Sequence, residues 1–408
     1  MTRLELTTAG ESHGPALTAI VAGLPSGLSV DRAFVDAQLA RRQAGYGRSA
    51  RQRIETDTVS VLGGLRHGRT LGSPVALQVA NRDHASWSAV MDPWPTDEQQ
   101  GNWRDRAITV PRPGHADLGG IARGAFDADG LRPVLERASA RETAARVAAG
   151  ALAQQLLAVL GIRVRGYVRG VGGAVSDMAT PDETDAAWQA LDATQLRTVD
   201  PAAETAMVAE VDAAAAARDT LGGLVEVVAW GLPPGIGGYV TAAERLDGRL
   251  AGVALATHAM KSVTIGDGDA LGTARGSHAH DELHPATDGD DQGMGVTRRT
   301  NRAGGIEGGM TTGAPVVVRV AMKPLPTLMQ PLATVDLATG AAAVAHAERS
   351  DTCAIAAAAI ALEANIAFEL AVVMREQFGA QALVDVEAAF AAYRDRVRYP
   401  VRPAVSLT

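Results

Sequence analysis

Short apolar runs of strand length alternate with longer stretches of helical periodicity along this chain, and that alternation most constrains what it can fold into. Residues 17–21, 59–62, 74–79, 224–229 and 315–322 predict strands. Residues 31–43, 140–160, 202–219, 246–260 and 352–377 predict helices. The two kinds are interspersed, so the fold is expected to be mixed, α/β or α+β. No internal repeat and no Pro/Ser-rich linker divides the sequence. The 44 glycines are scattered throughout, which implies many tight turns and close backbone approaches.

Several function classes are disfavoured. Cys353 is the single cysteine, so no intrachain disulfide forms, and an unpaired thiol fits a reducing compartment, the cytoplasm. The start, MTRLELTTAGESHG, lacks the apolar core of a signal peptide. The most apolar stretch, 352–374, is interrupted by Glu363, Asn365 and Glu369, so neither export nor membrane insertion is expected. A formal net charge of −8 argues against a nucleic-acid binder. Gly170-Val171-Gly172 and Gly235-Ile236-Gly237 lack the third glycine of a dinucleotide fingerprint, and neither lysine lies in a phosphate-binding P-loop. The acidic loops at Asp267 and Asp288 reach His278 and Arg299 where a calcium loop needs glutamate. The segment from His278 to His284 does not match zinc spacing, so no metal site is expected.

Only Lys261 and Lys323 are lysines, so nearly all of the 38 basic residues are arginines. Base composition of the gene accounts for much of that total. Placement is a separate matter: arginines cluster with glycines and polar residues, where forked donors suit carboxylates and phosphates. The best-signalled helix begins at Ser139-Ala140-Arg141-Glu142, a capping-box pattern, and its apolar run ends at Gly161. Its N-terminus, flanked by Arg137 and Arg141, reads either as an ordinary capped helix or as an anion site.

Several segments are more specific. Gly10-Glu11-Ser12-His13-Gly14 comes first, then Arg41-Arg42-Gln43-Ala44-Gly45-Tyr46-Gly47-Arg48, then Arg112-Pro113-Gly114-His115-Ala116-Asp117 and Glu136-Arg137-Ala138-Ser139-Ala140-Arg141-Glu142-Thr143. The C-terminal third adds Arg299 to Met310, Met322-Lys323-Pro324-Leu325-Pro326-Thr327 and Glu348-Arg349-Ser350-Asp351. In this order, over nearly the whole chain, they resemble the chorismate synthase family.

The resemblance implies an α+β fold of the β-α-β sandwich kind, one large domain over residues 1–408 with a C-terminal tail from about 385 to 408. It implies a lyase that uses reduced FMN to eliminate phosphate from 5-enolpyruvylshikimate 3-phosphate, giving chorismate in the shikimate pathway to aromatic amino acids. That substrate carries two carboxylates and a phosphate, and Arg42, Arg48, Arg51, Arg112 and Arg141 match positions at or near the family's substrate pocket. Arg137, Ala138, Ser139, His258, Ala259, Gly308, Lys323, Pro324, Leu325, Pro326, Thr327 and Arg349 match flavin contacts, and Arg349 also lies near the substrate positions. By the same resemblance His13 protonates the departing phosphate, His115 stabilises the anionic reduced flavin, and Asp351, relayed through Ser12, moves the proton from the flavin. Histidine suits such work because its pKa lies near neutrality. A homotetramer is implied, as is the monofunctional type that receives reduced flavin from a separate reductase. An NADP association for Arg42 and Arg48 is set aside for a substrate role.

Some positions depart from the family pattern. Ala122-Arg123-Gly124-Ala125-Phe126 stands for Lys-Tyr-Gly-Phe, residues 127–131 carry about two extra residues, and His258 stands where glutamine is usual. Thr311-Thr312-Gly313 and Ala356 to Ala359 also differ. These departures keep two alternatives in view, a non-catalytic flavin- or anion-binding paralogue and a lyase acting on a modified shikimate phosphate.

Overall fold

The computed structural model describes residues 3–48, 56–94, 108–124, 130–181, 183, 185–287, 291–346 and 351–398. The first sheet comes from the N-terminal part: β1 (Glu5–Ala9), β2 (Ala16–Ala22), then α1 (Arg32–Gln43), β3 (Val59–Gly63) and β4 (Val75–Ala80). Its order is β1-β2-β4-β3, antiparallel throughout. Alternation decides which side is inside: Leu17, Ala19 and Val21 of β2 are buried, whereas Ile20 between them is 43% exposed.

The remainder contributes α2 (Asp117–Arg123), α3 (Arg132–Arg137), α4 (Thr143–Val159), β5 (Arg163–Val171), β6 (Ala174–Val175), α5 (Pro201–Ala216), β7 (Gly223–Trp230), α6 (Leu246–Leu255), β8 (Met260–Ile265), β9 (Val316–Met322), α7 (Ile355–Gln377) and α8 (Leu383–Arg398). The second sheet runs β8-β9-β7-β5-β6, again antiparallel. Residues 225–230 are buried without alternation, because both faces of β7 are covered. One face meets α7; on the other, Tyr167, Trp188, Val228, Trp230 and Val317 form a small second core.

Helices α1, α4 and α7 lie between the sheets, α4 against the first and α7 against the second. Each buried leucine or isoleucine in this layer contributes roughly 1.5–3 kcal/mol. The helices can approach closely because their contact is made of small residues. A Cβ built on Gly150 of α4 would lie 2.5 Å from the Cβ of Ala364 on α7, so Gly150→Ala would force the layer apart.

All ten sequence-predicted elements are found, with shifted ends. The helix expected over 246–260 stops at Leu255, and Met260 already belongs to β8. The expected tail from 385 is instead helix α8 as far as Arg398, anchored by buried Val386 and Phe390; residues 399–408 lie outside the described ones. A second correction concerns α7. At 23 residues it is long and apolar enough, by length and composition, to cross a bilayer, although Glu363, Asn365 and Glu369 were expected to interrupt it. Its most apolar window is 83% buried between the sheets, which is the position of a core helix.

Candidate active site

At the edge of the helical layer a cavity of about 520 Å³ opens, within the range of pockets that hold small organic ligands. Loops and element ends from both sheets converge on it. Ser12 and His13 come from the β1–β2 turn, Arg42 and Arg48 from the end of α1, Arg112 and His115 from the loop before α2. Ala138, Ser139 and Arg141 stand ahead of α4, His258 and Ala259 between α6 and β8, Lys323, Leu325, Pro326 and Thr327 after β9, and Asp351 before α7.

Two histidines are held by carboxylates. His13 is only 8% exposed, and its Nδ1 lies 2.9 and 3.0 Å from the two oxygens of Glu136. Its backbone N–H also donates to Glu136 at 2.8 Å. Burial alone would raise the pKa of Glu136, but the His13 and Arg132 contacts outweigh it and hold the carboxyl below its ordinary value. An ionised carboxylate accepts only, so Nδ1 donates and Nε2 is the ring nitrogen that Glu136 does not engage. Trp87 stacks on the ring, centroids 4.1 Å apart, and the Arg132 guanidinium lies 5.1 Å from the Trp87 centroid.

His115 is held locally. Its Nδ1 contacts Asp117 Oδ1, while Arg112 donates to Asp117 Oδ2 at 3.0 Å through both its backbone N and Nε. Burial pushes the Asp117 carboxyl up, yet His115 and Arg112 together keep it far below the usual range. Arg112 Nη2 is also 3.0 Å from His115 Nδ1. Since Asp117 is ionised, Nδ1 donates to it, and the guanidinium contact is one of proximity.

The cationic wall is ordered by acidic partners. Asp57 lies between Arg42, whose Nη2 donates to it at 2.6 Å, and Arg141, whose Nη1 donates at 2.8 Å. Arg48 Nε is 3.2 Å from Asp351 Oδ2. Lys323 Nζ donates to Gly114 O at 2.8 Å, and burial with the nearby Lys261 lowers its pKa. Ala259 adopts φ +68°, a left-handed conformation costing roughly 1–2 kcal/mol outside glycine. Its carbonyl accepts from Lys323 N at 3.0 Å, which ties the two wall segments together.

Ser139 caps the helix less regularly than its pattern implies. Its hydroxyl accepts from Arg141 N at 3.2 Å over a 3-10 turn, Ala140–Glu142, that leads into α4. Glu142 does not complete a capping box; it accepts from Thr8 at 2.6 Å and from Arg146 at 2.8 Å, 3.9 Å from His258 Nδ1. The α4 N-terminus nevertheless opens on the cavity, through Ser139, Ala140, Arg141 and Thr143, with its positive dipole end there. Burial, reinforced by Arg146 and Arg137, holds His258 below the ordinary histidine pKa despite Glu142. Its Nδ1 and the Nε of Arg42 are buried without a hydrogen-bond partner among the described residues. Such orphan groups are what a bound polar ligand satisfies.

Most expected site residues therefore meet. Three of the described ones do not line the cavity. Arg137 turns back to donate to Thr8 O and Gly10 O at 3.0 and 3.1 Å. Pro324 is the member of its segment that faces away. Gly308 sits at the tip of the hairpin Ile306–Glu307/Met310–Thr311, which packs beside Gly237. Arg51 and Arg349 lie outside the described residues. Sequence reasoning assigned no role to Asp57, Asn81, Trp87, Asp117 or Glu136, and gave Glu142 only a helix-capping one. The spacing of His115 and Asp117 was a usable signal; nothing local marks Asp57, Asn81 or Trp87.

Two sheets around a helical layer bring two histidines and four arginines together on one cavity, a lining of the class found in enzymes that handle small anionic substrates. Comparison with known proteins gives that class a family. The family model for chorismate synthase matches residues 4–374. A chorismate synthase from Symbiobacterium thermophilum is 51% identical over 96% of this chain and 98% of its own. One from Mycobacterium marinum is 48% identical over 98% of each. A crystal structure of chorismate synthase superposes with a TM-score of 0.75 at 32% identity, covering 97% of this chain and 98% of the other. The chain belongs to the chorismate synthase family, a family of lyases.

Proposed function

We propose that the protein converts 5-enolpyruvylshikimate 3-phosphate to chorismate and phosphate with reduced FMN, as part of the shikimate pathway. The observation that carries the reading is the convergence of the His13–Glu136 and His115–Asp117 pairs with Arg42, Arg48, Arg112 and Arg141 on one cavity. A flavin fits the lining. An apolar wall of Leu135, Met260, Met322, Leu325 and Pro326 suits a flat ring, and the orphan Nδ1 of His258 offers a partner for a polar ring edge. When bound, the reduced flavin supplies reversible electron donation to the allylic phosphate.

The residues of the chain do the rest. The reaction is a 1,4-anti elimination: the C3–O pair leaves with phosphate, the C1=C2 π pair shifts to C2=C3, and the C6–H pair forms the C6=C1 double bond. The guanidinium groups bind the carboxylates and phosphate and stabilise charge that grows on the leaving group. His13, oriented through Nδ1 by Glu136, delivers a proton from Nε2 to the phosphate. His115, held by Asp117, is assigned to stabilising the anionic reduced flavin. Asp351 and Ser12 receive the assignment of passing the C6 proton out of the cavity. The family resemblance also supports a cytoplasmic homotetramer supplied with reduced flavin by a separate reductase, with NADP given no site at Arg42 and Arg48.

The test is anaerobic incubation with reduced FMN and 5-enolpyruvylshikimate 3-phosphate, following chorismate and phosphate together. Equimolar release of both is expected. Flavin binding without turnover would replace this reading with a non-catalytic paralogue.

A further inference from the structure

Asp57 stands two residues before β3, and its side chain is wholly covered. Its Oδ2 accepts from Arg42 Nη2 at 2.6 Å and from Arg141 Nη1 at 2.8 Å. Its Oδ1 lies 2.7 Å from the same Arg141 nitrogen, outside hydrogen-bond geometry. The carboxylate is itself fixed from behind, since its backbone N–H donates to Gln43 Oε1 at 3.0 Å. From Arg141 the connection continues: Nε donates to Asn81 Oδ1 at 2.8 Å, and Asn81 Nδ2 donates to Gly14 O at 2.8 Å and Glu11 O at 3.1 Å. That turn carries Ser12 and His13. A single acidic group is thus the common anchor of two cavity arginines and is tied, through Asn81, to the turn that presents the acid.

We infer that Asp57 is a positioning residue of the substrate site: it aims the Arg42 and Arg141 forks and sets how much positive charge the cavity offers. Two guanidinium groups brought to one carboxylate share a neutralising charge. Without it they repel each other and lose their common orientation. Five donors per arginine remain useful only if the fork is held. The inference deepens the proposed function and rests on it.

Asp57→Asn separates charge from shape. Removing one negative charge beside two cations makes the cavity more attractive to a simple anion, so inorganic phosphate, measured by calorimetry at low salt, is expected to bind about 5-fold tighter. Misaimed forks lower kcat on 5-enolpyruvylshikimate 3-phosphate by about 10-fold or more. Loss of structure would weaken both together, so this opposite movement identifies positioning. A kcat close to wild type, or phosphate binding that is unchanged or weaker, overturns the inference. Should Asp57→Asn not fold, Asp57→Asn/Arg42→Gln restores the charge balance. Because that pair also removes a cavity arginine, only its phosphate affinity is read, expected near wild type. Asp57→Glu, which keeps the charge and shifts the carboxylate by one methylene, is expected to lower kcat about 10-fold with phosphate binding unchanged, and wild-type kcat in it overturns the role. A wild-type protein that binds phosphate but releases none from the substrate counts against the proposed function instead, while calorimetry on the variant still reads Asp57.

Discussion

Arg41 and Arg42 are successive residues of α1, and each ends on a buried carboxylate, yet they belong to different parts of the molecule. Arg41 reaches inward to Glu363 on α7, at 2.8 and 3.2 Å. There Gln154 and the backbone N–H of Gly166 complete the shell at 2.9 and 2.8 Å, and Glu363 is fully buried. Arg42 points roughly 100° around the helix, to Asp57 and the cavity wall. The first cluster is closed by the scaffold; the second leaves donors for a ligand. Residue type and pairing are the same, and what differs is the side of the helix that carries them.

The largest effect is expected on the closed side. Glu363→Ala leaves buried Arg41 with only Asp192 as a carboxylate partner and removes the acceptor of Gln154 and of the Gly166 N–H, and should cost about 3 kcal/mol of unfolding free energy, read by urea titration. Turnover of the folded fraction should not change; a selective loss of turnover would break the contrast. Burial raises the Glu363 pKa, but Arg41 and Arg165 prevail and bring it from 4.5 to about 2. Its folded value is below its unfolded one, so its stabilisation is complete above about pH 4.5 and is lost as pH falls towards about 2. Glu363→Gln should flatten that acid limb of the stability profile.

A smaller effect is expected on the open side. Arg42→Lys keeps the charge but not the fork, so kcat/KM should fall about 10-fold, with a lesser change in unfolding midpoint. If that variant loses stability more than it loses kcat/KM, the cavity arginine is structural and the distinction between the two clusters fails.

The sequence carried the layers well and the site unevenly. Apolar periodicity is read directly by burial, so α4, α7, β2, β4, β7 and β9 were legible. β5 was not, because RVRGYVRGV places arginines on a strand whose partners, Glu226 and Glu363, lie far along the chain. β8 was not predicted, apart from Met260 being taken into the preceding helix, since a short apolar run does not declare its period. At the site, His13 and His115 stood out by motif, and Asp117 was readable beside His115. Glu136 holds His13 from 123 residues away and Asp57 joins two arginines of separate elements. Contacts of that kind are made by the fold and leave no local pattern. The expected capping box shows the converse: Ser139 and Glu142 have the right spacing, but Glu142 is drawn into the cavity's edge by Thr8 and Arg146.

The central claim is that the two imidazoles act on one bound substrate. Anaerobic turnover of His13→Ala and His115→Ala, measured beside the wild type as chorismate and phosphate released, tests it most directly. Each variant is expected to be slower by about 10-fold or more, since positioned acids contribute at least that much. Wild-type rates in both would contradict the account.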